Sequence, residues 1–171
     1  MSQPDPLEIL RTLERHRVQY ILIGAAAART AGAPVVTEDI DITPATNRSN
    51  LERLAAALRE LGARLRSAED TRGVAFPIDA EMLRTAALWT LSTRHGDLDI
   101  AFAPSGTRGY DDLHREAART SLGPGVRAEV ASLRDVIRSK EAAGRDKDLA
   151  QLPILRRTLE EVRRRNLKGR R

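Results

Sequence analysis

Apolar positions along this chain switch between helical and strand periods, and the switches mark out its elements. Leu7, Leu10 and Leu13 recur at helical spacing and predict a first helix over 4–17. Val18 to Ile23 reads as a buried strand, carried by the apolar run Tyr20-Ile21-Leu22-Ile23. Gly24 to Gly32 is rich in alanine and predicts a short helix small enough to lie close on a sheet. From Glu38 to Thr43 the period becomes two: Ile40 and Ile42 alternate with Asp39 and Asp41. Leu51, Leu54, Leu58 and Leu61 return to the helical period over 50–61, and Gly62 is placed to stop that helix.

The pattern is weaker over 63–86, where a strand near Arg64 and a loop around Gly73 are expected. Leu88 to Thr93 and Leu98 to Phe102 predict two strands joined by a turn at His95-Gly96, with Asp97 read as part of that turn. In the second strand Leu98, Ile100 and Phe102 share one face, and Asp99 lies on the other. A short helix is expected over 110–119 and a strand over 126–131. Ser132, with Asp135 three residues on, reads as a capping box opening a helix that ends near Ala143 at the Gly144 break. A last helical stretch covers 146–165, which Pro153 either kinks or divides. The organisation is α+β: a mixed twisted sheet with flanking helices over 1–131, then a helical part with a basic tail over 132–171, expected to form one compact domain.

Composition narrows the chemistry. The 171 residues contain no cysteine, which excludes disulfides, thiolate catalysis and cysteine zinc sites, and is compatible with a cytoplasmic location. No segment approaches a membrane span, and the N-terminal residues Met1 to Pro6 lack the charge and apolar core of a signal peptide. The net charge of +5 is concentrated at one end: residues 156–171 carry eight arginines and lysines against Glu160 and Glu161. Such a tail suits phosphate backbones or an acidic partner, and equally suits a solvated helix end.

Aspartate is a poor strand former, so Asp39 and Asp41 need a reason. Alternation places both carboxylates on one face, roughly 7 Å apart, where they repel unless a cation lies between them. Hard oxygen ligands suit Mg²⁺. Asp99, on a neighbouring strand with its apolar neighbours facing away, is the best candidate for a third carboxylate of a two-metal site. Gly24 follows the first strand directly, and a main chain bare of side chains at Gly24-Ala25 would let phosphate oxygens approach. The run has neither P-loop nor dinucleotide-binding spacing. A third group is Lys140, Arg145, Lys147 and Asp148. Only three of the 29 basic residues are lysines, so Lys140 hints at a specific demand for a compact ammonium, with Asp148 orienting it or receiving substrate. His16, His95 and His114 form no metal-ligand spacing, and aromatics are too scarce for a base-stacking platform.

The stretch from Tyr20 to Ile42 resembles the signature of the polymerase-β-like nucleotidyltransferases: a strand, then Gly24-Ala25, a short helix, and Asp39-Ile40-Asp41. The later run from Ser139 to Leu149 resembles the C-terminal motifs of the AbiEii-like and MenT-like branch, many of whose members are toxins of toxin–antitoxin pairs. The resemblance implies that Asp39, Asp41 and Asp99 bind metal, with two Mg²⁺ ions and Mn²⁺ as a substitute. It implies that Lys140 contacts the triphosphate with Arg145 nearby, that Asp148 is the later acidic residue, and that Gly24 and Ala25 are the phosphate-contacting pair. Ala25 departs from the usual Ser or Gly and loses a hydroxyl while keeping the backbone N–H. The implied activity is transfer of a nucleoside monophosphate from an NTP to an acceptor hydroxyl. A tRNA 3′ end is the expected acceptor, with growth arrest and a cognate antitoxin to match. The alternatives are transfer to an aminoglycoside-like small molecule or to a partner protein, and a non-catalytic module binding RNA or an antitoxin.

Overall fold

A computed structural model describes residues 3–170 of the chain. Met1, Ser2 and Arg171, the last residue of the basic tail, lie outside the described residues. The helices are α1 (Pro6–Arg15), α2 (Gly24–Thr30), α3 (Arg48–Glu60), α4 (Ala80–Leu83), α5 (Tyr110–His114), α6 (Leu133–Ala143) and α7 (Asp146–Lys168). The strands are β1 (Tyr20–Ile23), β2 (Ile40–Pro44), β3 (Arg64–Leu65), β4 (Leu88–Thr93), β5 (Gly96–Ala101), β6 (Ala118–Gly123) and β7 (Val126–Val130). They form one mixed sheet in the order β3-β4-β5-β2-β1-β7-β6.

The centre of the sheet explains the sequence pattern. β1 runs antiparallel to β2 with Leu22 opposite Ile42, and β2 runs parallel to β5 with Ile42 beside Ile100. Antiparallel β4 adds Trp89 opposite Ile100. Leu22, Ile42, Ile100 and Trp89 therefore form an apolar row across four strands, and all four are buried. One residue along, the pleat turns Ile23, Asp41, Asp99 and Thr90 to the opposite face. The same alternation that builds the core thus delivers two carboxylates side by side.

The Ser132 cap falls where the sequence places it, accepting from Asp135 N at the start of α6, and Asp5 accepts from Leu7 N at the start of α1. Gly144 ends α6 in the left-handed conformation. Two expectations are corrected. Asp39 lies in the bend just before β2 rather than within the strand. The helix expected over 110–119 ends at His114, and Ala118 to Gly123 instead forms edge strand β6 against β7. That strand is largely exposed and lacks apolar alternation, so its ladder hydrogen bonds leave no trace in the hydrophobic pattern. Of the two alternatives for Pro153, a new helix starting there is excluded, because α7 is continuous over Asp146–Lys168. Pro153 and Leu149 are both exposed, so the carbonyl that loses its helical partner faces water.

A buried polar side chain fixes the end of the β1–β2 pair. Asn50 is fully buried on α3; its Oδ1 accepts from Gln19 N at 2.7 Å, and its Nδ2 donates to Gln19 O at 2.9 Å and Ala45 O at 2.8 Å. Asn50→Ala leaves Gln19 N and Ala45 O without this partner, while Gln19 O keeps its bond from Ala45 N at 3.0 Å. It is expected to cost about 2 kcal/mol in urea unfolding, and a loss under about 0.5 kcal/mol would contradict this clamp.

Candidate active site

Each functional side chain is positioned by an element already described. The parallel pairing of β2 and β5 sets Asp41 directly beside Asp99. Asp39 precedes the strand, where Thr37 holds the loop: its Oγ1 donates to Asp39 O at 2.9 Å and accepts from Asp39 N at 3.3 Å. Across the same cleft stands the junction of α6 and α7. There Asp148, 1% exposed, accepts from Lys140 Nζ at 3.2 Å and Arg145 Nε at 2.6 Å. The buried carboxylate fixes both cations, so Asp148 is an anchor for Lys140 and Arg145 rather than a group open to substrate. Gly24, Ala25, Asp39, Asp41, Asp99, Lys140, Arg145, Lys147 and Asp148 all line one cleft of about 920 Å³. The three regions that the sequence singled out separately are therefore one place in the fold. The three histidines are not among its lining residues.

Gly24 is required by a close approach. It has φ +67°, and a Cβ built there would lie 2.6 Å from Asp41 Oδ2. The strand-to-helix turn is thus packed against the carboxylate itself, so the Gly24 and Asp41 motifs are physically one unit.

Arg66 had no distinguishing signal in an arginine-rich chain, and the structure places it in the cleft. Its backbone N donates to Thr90 O at 3.0 Å, and its guanidinium reaches over the small Thr90 and Ser92 positions of β4 toward β5. Nη1 donates to Asp97 Oδ2 at 2.8 Å, and Nη2 donates to Asp99 Oδ1. Asp97, expected in the turn, is the second residue of β5. Val36 and Leu88, 84% and 58% exposed, give the cleft an apolar rim that periodicity does not reveal.

The electrostatics divide the cleft in two. Burial raises Asp41 first, and the charges of Asp99 and Asp39 raise it further; Lys140 and Lys147 pull the other way, leaving it at about 6. Burial also raises Asp99, with Asp39 and Asp97 adding to it against the opposing pull of Arg66. Burial would raise Asp148, but the hydrogen bonds from Arg145 and Lys140 outweigh it and hold it below the usual carboxylate range. Among the described residues the ion pairs of this cleft join Arg66 to Asp97 and Asp99, and Lys140 and Arg145 to Asp148; none includes Asp39 or Asp41.

The donor set can be tested against a divalent cation. Among the described residues no three acidic or imidazole side chains stand close enough to enclose a metal ion by themselves. Mg²⁺ commonly takes only one or two carboxylates and completes its shell with water and substrate phosphates. Asp39 and Asp41, unpaired and mutually repelling, fit an ion of that kind. Asp99, expected as a third ligand, is engaged by Arg66.

No family model matches the chain, and no curated protein matches it by sequence. Solved structures do. A lincomycin-bound structure of the lincosamide antibiotic adenylyltransferase LnuA aligns with TM-score 0.57 at 14% identity, over 87% of this chain and 92% of that one. The solution structure of the antibiotic-resistance factor ANT(2'')-Ia aligns with TM-score 0.55 at 16% identity, over 95% and 89%. ANT(2'')-Ia in complex with adenylyl-2''-tobramycin aligns with TM-score 0.54 at 16% identity, over 95% and 94%. These neighbours are polymerase-β-like nucleotidyltransferases, and the chain has their fold. The likeness extends over nearly the whole of both chains. These neighbours do not confirm the finer resemblance to the AbiEii-like and MenT-like branch.

Two outcomes test this geometry. Gly24→Ala places a side chain both in a left-handed conformation and against Asp41, and is expected to destabilise the protein by about 1–2 kcal/mol in urea unfolding; an unchanged midpoint would contradict the packing. Asp41, raised to about 6, holds its proton more tightly folded than unfolded. Its stabilising contribution is complete below its ordinary value of 3.8 and is lost as pH rises through about 6. In EDTA, Asp41→Asn should therefore melt above the wild type near pH 7.5, with the difference closing toward about pH 4.5; a variant less stable at the higher pH would contradict the burial of an unpaired charge.

Proposed function

We propose that the protein is a divalent-metal-dependent nucleotidyltransferase that moves a nucleoside monophosphate from an NTP to an acceptor hydroxyl. The observation that carries this reading is the facing of unpaired Asp39 and Asp41 by Lys140, Arg145 and Lys147 across one cleft, in a fold shared with adenylyltransferases. The charge of a triphosphate would answer the three cations, and Asp39 and Asp41 would hold the divalent ion that accompanies it. Gly24 and Ala25 bring main chain without bulk to the same wall, where the Ala25 N–H remains as a donor.

The chain's own residues divide the reaction between them. Asp99 accepts the proton of the acceptor hydroxyl as its oxygen bonds the α-phosphorus, and the α–β bridging P–O bond breaks to release pyrophosphate. Lys140 and Arg145, held by Asp148, meet the charge growing on the departing pyrophosphate. Mg²⁺, or Mn²⁺ in its place, would supply Lewis-acid polarisation of the phosphate from Asp39 and Asp41. Val36 and Leu88 offer apolar contact to the base or the acceptor.

The fold neighbours favour a small hydroxyl compound as acceptor, since LnuA and ANT(2'')-Ia are antibiotic-modifying proteins. A second reading, transfer to a tRNA 3′ end by a toxin restrained by an antitoxin, is favoured by the end of α7. From Arg163 to Lys168 every residue is exposed, including Leu167 at 68%, so a basic helical end stands free for a polyanion. Incubation with each α-labelled NTP and Mg²⁺, using aminoglycosides, lincosamides, total tRNA and cell protein as separate acceptors, distinguishes these readings by where label appears. Asp41→Asn should abolish transfer, and Lys140→Ala should slow it about 10²–10³-fold. Wild-type transfer by Asp41→Asn would reject the site assignment, and no transfer to any acceptor would favour a non-catalytic binding module.

A further inference from the structure

We infer that Arg66 occupies the position of a second cation, so that this protein works with one divalent ion rather than two. The inference rests on the nucleotidyltransferase reading above and concerns the carboxylate that reading leaves crowded. Asp41 and Asp99 are register neighbours on β2 and β5, the arrangement from which two ions could be held in a row. Only the Asp39–Asp41 end of that row is open. At the other end the Arg66 guanidinium bridges Asp97 and Asp99, spending both Nη groups on two carboxylates of the same strand.

The guanidinium is built into the fold rather than draped over it. Arg66 follows β3 directly, and its backbone is tied to β4 at Thr90, the residue opposite Asp99. Thr90 and Ser92 are the residues opposite Asp99 and Asp97, and both are small enough for the arginine to cross β4 and meet the two aspartates. A planar, permanently charged fork matches two carboxylates better than a flexible ammonium does. A second divalent ion at Asp99 would have to sit beside this fixed positive charge or displace it from Asp99 Oδ1. The guanidinium also leaves Asp99 Oδ2 with no protein partner among the described residues, which suits the proton-accepting role. Arg66 is thus a positioning residue: it orients Asp99 and supplies the positive charge that a second ion would otherwise bring.

The test counts ions. Bound Mn²⁺ per bound nucleotide is measured by electron paramagnetic resonance with non-hydrolysable α,β-methylene NTPs, on wild type, Arg66→Met, Arg66→Lys and Arg66→Met/Asp99→Asn, each first shown to be folded by its melting curve. The expected counts are one for wild type and two for Arg66→Met, returning to one when Asp99→Asn is added. Arg66→Lys should stay nearer one than Arg66→Met. Two ions on wild type, or one on Arg66→Met, overturns the inference while leaving the nucleotidyltransferase reading intact. No nucleotide-dependent Mn²⁺ on wild type overturns both. A merely structural arginine would alter the melting curve without changing the count.

Discussion

The site depends on one constraint, the parallel register that puts Asp41 of β2 beside Asp99 of β5. Parallel pairing fixes which residues are neighbours, and the pleat fixes which face they share. On the buried face the same strands align Ile42 with Ile100 and Leu22. A slip of one residue would turn those isoleucines toward the cleft and the aspartates into the core. The apolar row therefore enforces the acidic one, and the energy that holds two like charges together comes from packing on the opposite side of the sheet.

The repulsion stored there is balanced asymmetrically. Asp99 is met by Arg66 within the sheet, and Asp148 by Lys140 and Arg145 at the α6–α7 junction. Asp41 has no such partner, lies against Gly24, and is raised to about 6 by burial and by the neighbouring carboxylates. A group kept uncompensated in this way is costly to stability and useful to a cation that arrives with phosphate. The cations across the cleft serve the other half of such a complex, since Lys140 and Arg145 are fixed by a buried carboxylate and Lys147 shares their wall.

Much of this was legible in the chain because the signals were local. Alternation exposed Asp41 and Asp99, the apolar run before Gly24 gave the strand-to-helix turn, and Ser132 with Gly144 bracketed α6. The elements that escaped have their cause in tertiary structure. β6 is an exposed edge strand whose only commitment is its ladder with β7, so no hydrophobic period announces it. Arg66 is one of many arginines, and only the short residues of β4 that it crosses give it a role. That Gly24 abuts Asp41, seventeen positions later in the chain, follows from β1–β2 pairing rather than from either motif. The fold neighbours support the architecture across nearly the full chain, while the branch-level resemblance rested on the α6–α7 junction alone.

The claim at the centre of this account is that the acidic and basic walls of one cleft jointly hold a metal–triphosphate complex. The direct measurement is the melting temperature of the wild-type chain with each NTP at millimolar concentration, with and without Mg²⁺. The account predicts stabilisation by at least one NTP that grows with its concentration and requires Mg²⁺, as mass action demands of a ligand that binds only the folded state. Melting curves unmoved by all four nucleotides in the presence of Mg²⁺ would contradict it.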